Sequence, residues 1–134
     1  MSDDTMLLSA LDMVASIRRA FPGESALIDD RLQHHGFSAE ESPYRWVEEF
    51  SQLTTEAIEA REYSTAQGYL QFMSRALEGA STPTANCIDV YYVEALMWST
   101  KDDRTLRAGW GIVPVNLRNL YVEMWGERPF MGSS

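Results

Sequence analysis

Apolar residues recur along this chain at helical spacing almost from end to end. Leu7, Leu11, Val14 and Ile17 fall at i, i+4, i+7 and i+10, and Leu8 widens the stripe. That spacing predicts a first helix from about Thr5 to Ala20. Asp3, Asp4 and Thr5 are its N-cap candidates, and Arg18 and Arg19 suit its negative C-terminal end. Phe21-Pro22-Gly23 breaks the pattern. A second helix, from about Ser25 to His35, is expected to bury Leu27, Ile28 and Leu32. Gly36 reads as its left-handed C′ residue, with Phe37 as the apolar contact that follows.

The third helix is expected to begin near Ser42-Pro43, with serine as N-cap and proline at N1. Ser38-Ala39-Glu40-Glu41 offers a competing capping box and hence a short preceding turn. Val47, Phe50, Thr54, Ala57 and Ile58, flanked by Trp46 and Leu53, form this helix's apolar face. A fourth helix, about Ser64 to Glu78, carries Ala66, Tyr69, Leu70, Met73 and Leu77 and stops at Gly79. A loop over Ala80–Pro83 leads to Thr84, which is read as the next cap.

The window from about Ala85 to Ser99 is apolar nearly all round, which predicts a central helix. Ile88–Val93 is also β-branched and aromatic enough for a strand, but Glu94-Ala95-Leu96-Met97 favours helix. A polar turn over Thr100–Asp103 and a short helix over Asp103–Ala108 follow, interrupted by Gly109, Gly111 and Pro114. The last helix runs from about Pro114 to Trp125, presents Leu117, Leu120, Tyr121, Met124 and Trp125, and ends at Gly126. The sum is an all-α single compact domain of six or seven short helices, an irregular bundle over residues 1–130. Residues 131–134 read as a disordered tail.

Composition narrows the partners. The chain has 134 residues, with 20 acidic against 11 basic ones and a net charge of −9. This acidity argues against nucleic acid or an anionic membrane, since both need a basic footprint. The single cysteine, Cys87, excludes an internal disulfide framework. The acidic start Met1-Ser2-Asp3-Asp4 is unlike a secretory leader, so the expected compartment is the cytosol. Ten of the eleven basic residues are arginine, with Lys101 the only lysine.

No catalytic or cofactor motif emerges. Gly109-Trp110-Gly111 lacks the spacing and lysine of a phosphate loop, and neither histidine sits in a metalloprotease motif. His34 and His35 are neighbours that diverge by about 100° on a helix, so they make poor joint metal ligands. With Asp30 one turn earlier, His34 forms at most a two-point surface site; no metal and no cofactor is expected. Cys87 near a helix start would be a reactive thiol only if that dipole lowered its pKa, and a buried structural thiol is the plainer reading. Tyr91, Tyr92 and the four tryptophans are read chiefly as core. The carboxylate pairs Asp29-Asp30, Glu40-Glu41, Glu48-Glu49 and Asp102-Asp103 are read mainly as solvated surface.

One surface is more specific. Projecting the third helix at 100° per residue puts Arg45, Glu48, Glu49, Gln52, Thr55, Glu56 and Glu59 opposite Val47 and Phe50. No lysine at i+4 neutralises Glu49 or Glu56 within the helix. The plain reading is a solubilising face; the sharper one is a docking surface for a basic protein, because complementary charge speeds encounter. Asp102 and Asp103, with Asp29 and Asp30, are the next candidates.

Ile88-Asp89-Val90-Tyr91-Tyr92-Val93-Glu94-Ala95-Leu96, followed by Pro114-Val115-Asn116-Leu117-Arg118-Asn119-Leu120-Tyr121, resembles small acidic helical immunity proteins of type VI secretion and other polymorphic-toxin systems. The likeness covers about residues 25–125 and is a packing signature; it leaves out the first helix. It implies a non-enzymatic inhibitor of a cognate antibacterial toxin, covering a basic active site that handles nucleotides or nucleic acid. A helical adaptor in a signalling or secretion complex would use the same surface. An enzyme would need Glu/Asp acid–base chemistry or Cys87 as nucleophile.

Overall fold

The computed structural model describes residues 2–131. It is all-α, and no strand occurs among the described residues. The elements are α1 (Ser2–Ala20), α2 (Pro22–His34), α3 (Pro43–Glu59), α4 (Tyr63–Glu78), α5 (Thr82–Cys87), a π-helical segment (Ile88–Val93), α6 (Asp103–Ile112), α7 (Val115–Trp125) and a closing 3₁₀ turn (Pro129–Met131). None of these helices is long and apolar enough to cross a membrane.

The hub is α3. It packs against α1, α2, α4, α6 and the π-helical segment. Its expected stripe is buried throughout: Trp46, Val47, Phe50, Thr54, Ala57 and Ile58 lie in the core, with Leu53 beside them. The centre was expected in the Ala85–Ser99 window instead. That window does not form one straight helix. After α5 it widens into π-helical turns, with the Glu94 N–H bonded to the Asp89 carbonyl at 3.0 Å, and then passes through tight turns to Thr100. Ile88, Tyr92, Val93, Leu96 and Met97 are buried, while Val90 and Trp98 face solvent.

Side chains of α3 hold this irregular segment. The Ser51 hydroxyl donates to the Tyr92 carbonyl at 2.7 Å, and Thr54 Oγ1 shares a 2.8 Å bond with the Tyr92 hydroxyl. Buried polar groups need such partners, because an orphan costs about 1–3 kcal/mol. Tyr92 is fully buried, and burial keeps its phenol protonated far above the usual tyrosine range.

Helix ends follow local chemistry, with corrections. Asp3, Asp4 and Thr5 fall inside α1, which is helical from Ser2. Phe21 ends α1 and opens α2, where Pro22 occupies the first helical position. The Phe21 ring then packs against Phe50, Tyr69 and Phe72 at centroid distances of 5.1–5.6 Å. Leu27 of α2 is exposed rather than core. Gly36 is left-handed (φ 81°), and the Gly36 and Phe37 amides bond back to Gln33 and Leu32, which completes the expected C-terminal motif. Ser42 stands before α3 without a side-chain cap, while the Ser38 hydroxyl closes the turn ahead of it onto Glu41.

The cap of α5 is Ser81, which accepts from the Thr84 N–H, so Thr84 lies within that helix. α6 runs through both Gly109 and Gly111, which were expected to interrupt it, and Asp102 caps it. α7 begins after Pro114 and ends at left-handed Gly126 (φ 75°). Met124 lies exposed on it. Met131, expected in a disordered tail, closes the 3₁₀ turn and packs partly buried on the core; residues 132–134 lie outside the described ones.

Candidate functional site

The polar face of α3 forms the floor of a groove. Arg45, Glu48, Glu49 and Gln52 meet the end of α2 (Asp30, Arg31, His34, and His35 just past it) on one side and Ala95 and Trp98 on the other, around a cavity of 630 Å³. A second recess of 350 Å³ adjoins it, lined by Glu48, Val90, Tyr91, Glu94, Ala95 and Trp98. Glu48, Ala95 and Trp98 are common to both.

The seven residues expected on one solvated face fall into three environments. Towards α2 the face is closed. Arg31 donates two bonds to Glu56, at 2.9 and 3.0 Å, and a third to Glu49 at 3.2 Å. Hydrogen bonding to Glu56 is the main reason the Arg31 pKa is raised. Glu49 and Glu56 therefore have the counter-charge that α3 itself lacks. It comes from a different helix, so spacing along α3 did not reveal it.

At the C-terminal end the face is again satisfied. Glu59 accepts from the Thr100 hydroxyl at 2.8 Å. Thr55, projected onto the solvated face, is fully buried; its hydroxyl accepts the Met97 N–H at 2.8 Å and donates to the Ser51 carbonyl at 3.1 Å. Met97 is left-handed at φ 57°, an uncommon conformation for a residue with a long side chain. This turn places Trp98 outside the core with 70% of its surface exposed. The indole rests against Trp125 at 5.2 Å between ring centroids.

The third environment is open. Glu48 and Glu94 line the recess beside Trp98, and neither carboxylate makes an ion pair or hydrogen bond with another described residue. Arg45 lies one helical turn before Glu48 on α3 and acts on it electrostatically, yet its guanidinium lies 4.3 Å over the Phe37 ring. Burial pushes the Glu48 pKa above the ordinary carboxylate range; Arg45 pulls it back in part, and Glu94 and Glu49 push it up further.

Of the remaining candidates, Asp30 lines the groove, and Asp102, Asp103 and Asp29 are occupied elsewhere. Asp102 caps α6 through the Thr105 N–H at 3.0 Å and its hydroxyl at 2.7 Å, which holds its pKa below the usual range. Asp103 pairs with Arg107 at 2.7 Å within α6. Neither lines the groove. Asp29 takes both amine groups of Arg18, at 2.6 and 2.8 Å, and the Trp46 indole N–H at 2.9 Å, so it ties α1 to α2 and α3. Glu94, Val90, Tyr91 and Trp98 were not read as surface. The one available signal was the polar Ser99–Asp103 stretch directly after Trp98, which puts that tryptophan at the edge of its apolar run.

His34 Nδ1 lies 2.8 Å from the Asp30 carbonyl and 3.9 Å from its carboxylate, and no group of three or more His, Cys, Asp or Glu among the described residues is placed to hold a metal ion. Cys87 is fully buried at the end of α5, and burial pushes its thiol up to about 11. At neutral pH it is a protonated core residue.

The match to a known family decides membership. A family model described as a domain of unknown function, DUF7674, covers residues 14–126. This chain belongs to the DUF7674 family. The matched DUF7674 region begins within α1 and ends with Gly126 after α7, so it includes every residue that lines the groove. No curated protein and no solved structure matches the chain.

Proposed function

We propose that this DUF7674 chain is a non-enzymatic immunity protein that binds and neutralises a cognate antibacterial toxin in the cytosol. It does so by covering a basic, nucleotide- or nucleic-acid-handling active site with its acidic groove. The observation that carries the reading is the open part of that groove, where Glu48 and Glu94, two carboxylates with no ion-pair partner among the described residues, flank a largely exposed tryptophan. Interface centres are enriched in tryptophan, and active sites that hold phosphates carry Lys and Arg. A surface combining both features fits such a site in charge and in apolar contact. The resemblance of Ile88–Leu96 and Pro114–Tyr121 to immunity proteins supplies the class of partner.

The test is growth rescue. The gene is co-expressed with toxin-like genes adjacent to it in its native host, and the protein is recovered to identify what co-purifies. Rescue, with a stable complex between the two proteins, supports the reading. Absence of both for every adjacent candidate would sink it. Recovery of a signalling or secretion component instead would replace it with the adaptor reading.

A further inference from the structure

We infer that the recess formed by Glu48, Val90, Tyr91, Glu94 and Trp98 receives an arginine side chain of the protein partner. The inference rests on the reading above and specifies the contact at its centre. The recess, at 350 Å³, lies at the small end of ligand pockets, which span about 300–1,000 Å³. That suits one long side chain better than a cofactor.

Its walls select a cation. Trp98 and Tyr91 supply aromatic surface, and tryptophan is the strongest aromatic partner for a positive charge. Glu48 and Glu94 line the same recess, so an incoming cation meets two like charges together. The protein's own nearby guanidinium, Arg45, is engaged over Phe37 and does not pair with Glu48. Arginine is preferred to lysine for two reasons. Its guanidinium is planar and weakly hydrated, so it stacks on an indole with a small desolvation cost, and its fork of N–H donors can serve two carboxylates at once.

The position of Trp98 is built in. Its exposure follows from the left-handed Met97, and the Met97 N–H is anchored in the core by Thr55. The large apolar side chain is thus held at the rim by buried structure, independently of the carboxylates.

The experiment follows the four indole N–H signals of the 134-residue chain by ¹H–¹⁵N NMR. The probes are Nα-acetyl-arginine methylamide, its lysine counterpart, and the neutral, nearly isosteric citrulline counterpart. Trp98, assigned with Trp98→Phe, should shift saturably with the arginine probe. The lysine probe should bind more weakly, and citrulline at least about fivefold more weakly. Glu48→Gln with Glu94→Gln keeps shape and should lower arginine affinity by about tenfold. An unmoved Trp98 signal, an equal response to citrulline, or indifference to the double substitution would each overturn the inference. Toxin rescue separates the two readings. If the wild type rescues growth and Glu48→Gln/Glu94→Gln/Trp98→Ala rescues equally well, the arginine recess is wrong and the immunity reading survives. If no toxin is neutralised but the titration behaves as expected, the reverse holds.

Discussion

Glu48 and Glu49 are adjacent on α3 and meet opposite fates. Glu49 turns towards α2, where Arg31 pairs it together with Glu56. Glu48 turns towards the 88–99 segment, where its neighbours are Glu94, Tyr91 and Trp98. One side of the helix uses its charge to join two helices, and the other leaves its charge unspent beside an exposed aromatic. A count of acids along a helix face therefore says little about where a partner binds. The useful quantity is the set of carboxylates left over once other helices have taken theirs.

The largest expected effect concerns what keeps the open side open. Thr55→Val is nearly isosteric but removes the acceptor of the Met97 N–H, leaving a buried donor unpaired in an uncommon backbone conformation. It should cost about 2 kcal/mol in chemical denaturation. It should also change the Trp98 emission more than that of the buried Trp46. Loss of stability with Trp98 undisturbed would mean that the indole is positioned by Trp125 rather than by the Met97 turn.

Next comes the charge on that side. Replacing Glu48 and Glu94 by glutamine should weaken a basic partner by about tenfold, or about 1.4 kcal/mol. Stability should hold or rise slightly, because burial and like charge raise the Glu48 pKa in the folded state. A raised carboxylate pKa means that the ionised form opposes folding above the unfolded pKa and that this penalty disappears as pH falls. For binding the sign is opposite. Glu48 becomes neutral at a higher pH than an ordinary carboxylate, so partner affinity should begin to fall earlier on acidification. Glu48→Gln should remove that early phase, and an unchanged pH profile would show that Glu48 is not the group whose protonation weakens binding.

On the closed side the expected order reverses. Arg31→Met keeps much of the stem and removes the charge, so Glu49 and Glu56 face each other without a counter-ion. These groups are partly solvated, with side-chain exposures of 27–41%, so the cost is about 1 kcal/mol after screening. Partner affinity should hold or rise by up to about threefold, because two carboxylates beside the groove lose their internal counter-ion. A larger loss of affinity than of stability would place Arg31 in the interface.

Regular elements were legible in the sequence, and contacts between them were not. The α3 stripe of Val47, Phe50, Thr54, Ala57 and Ile58 follows from a 3.6-residue period, as does the Gly36-Phe37 stop, whose geometry is local. Arg31 lies 18 and 25 residues from its two partners, and no spacing rule within one helix reports that. Thr55 was misplaced for a related reason. Its hydroxyl is drawn into the core by a backbone N–H of another segment, and hydropathy is blind to that demand. Trp98 was assigned to the core because periodicity assumes a straight helix. The segment instead widens at Ile88–Val93 and turns at Met97, and those backbone features carry no apolar signature.

The smallest prediction uses two glycines of α6, both misread as helix breakers. A methyl group at Gly109 would come within 2.6 Å of the Met97 sulfur and 3.0 Å of Ile58, because α6 crosses α3 and the Met97 turn at close range. At Gly111 it would meet nothing within 4 Å. Gly111→Ala should therefore stabilise the protein by about 0.8 kcal/mol through helix propensity alone. Gly109→Ala gains the same propensity and loses about 1–3 kcal/mol to overpacking, so its net effect should be destabilising. The paired thermal melts read out the difference in sign. If both substitutions stabilised, Met97 would have moved aside at little cost. The turn that holds Trp98 out would then be a soft feature of the fold rather than one fixed from beneath by α6.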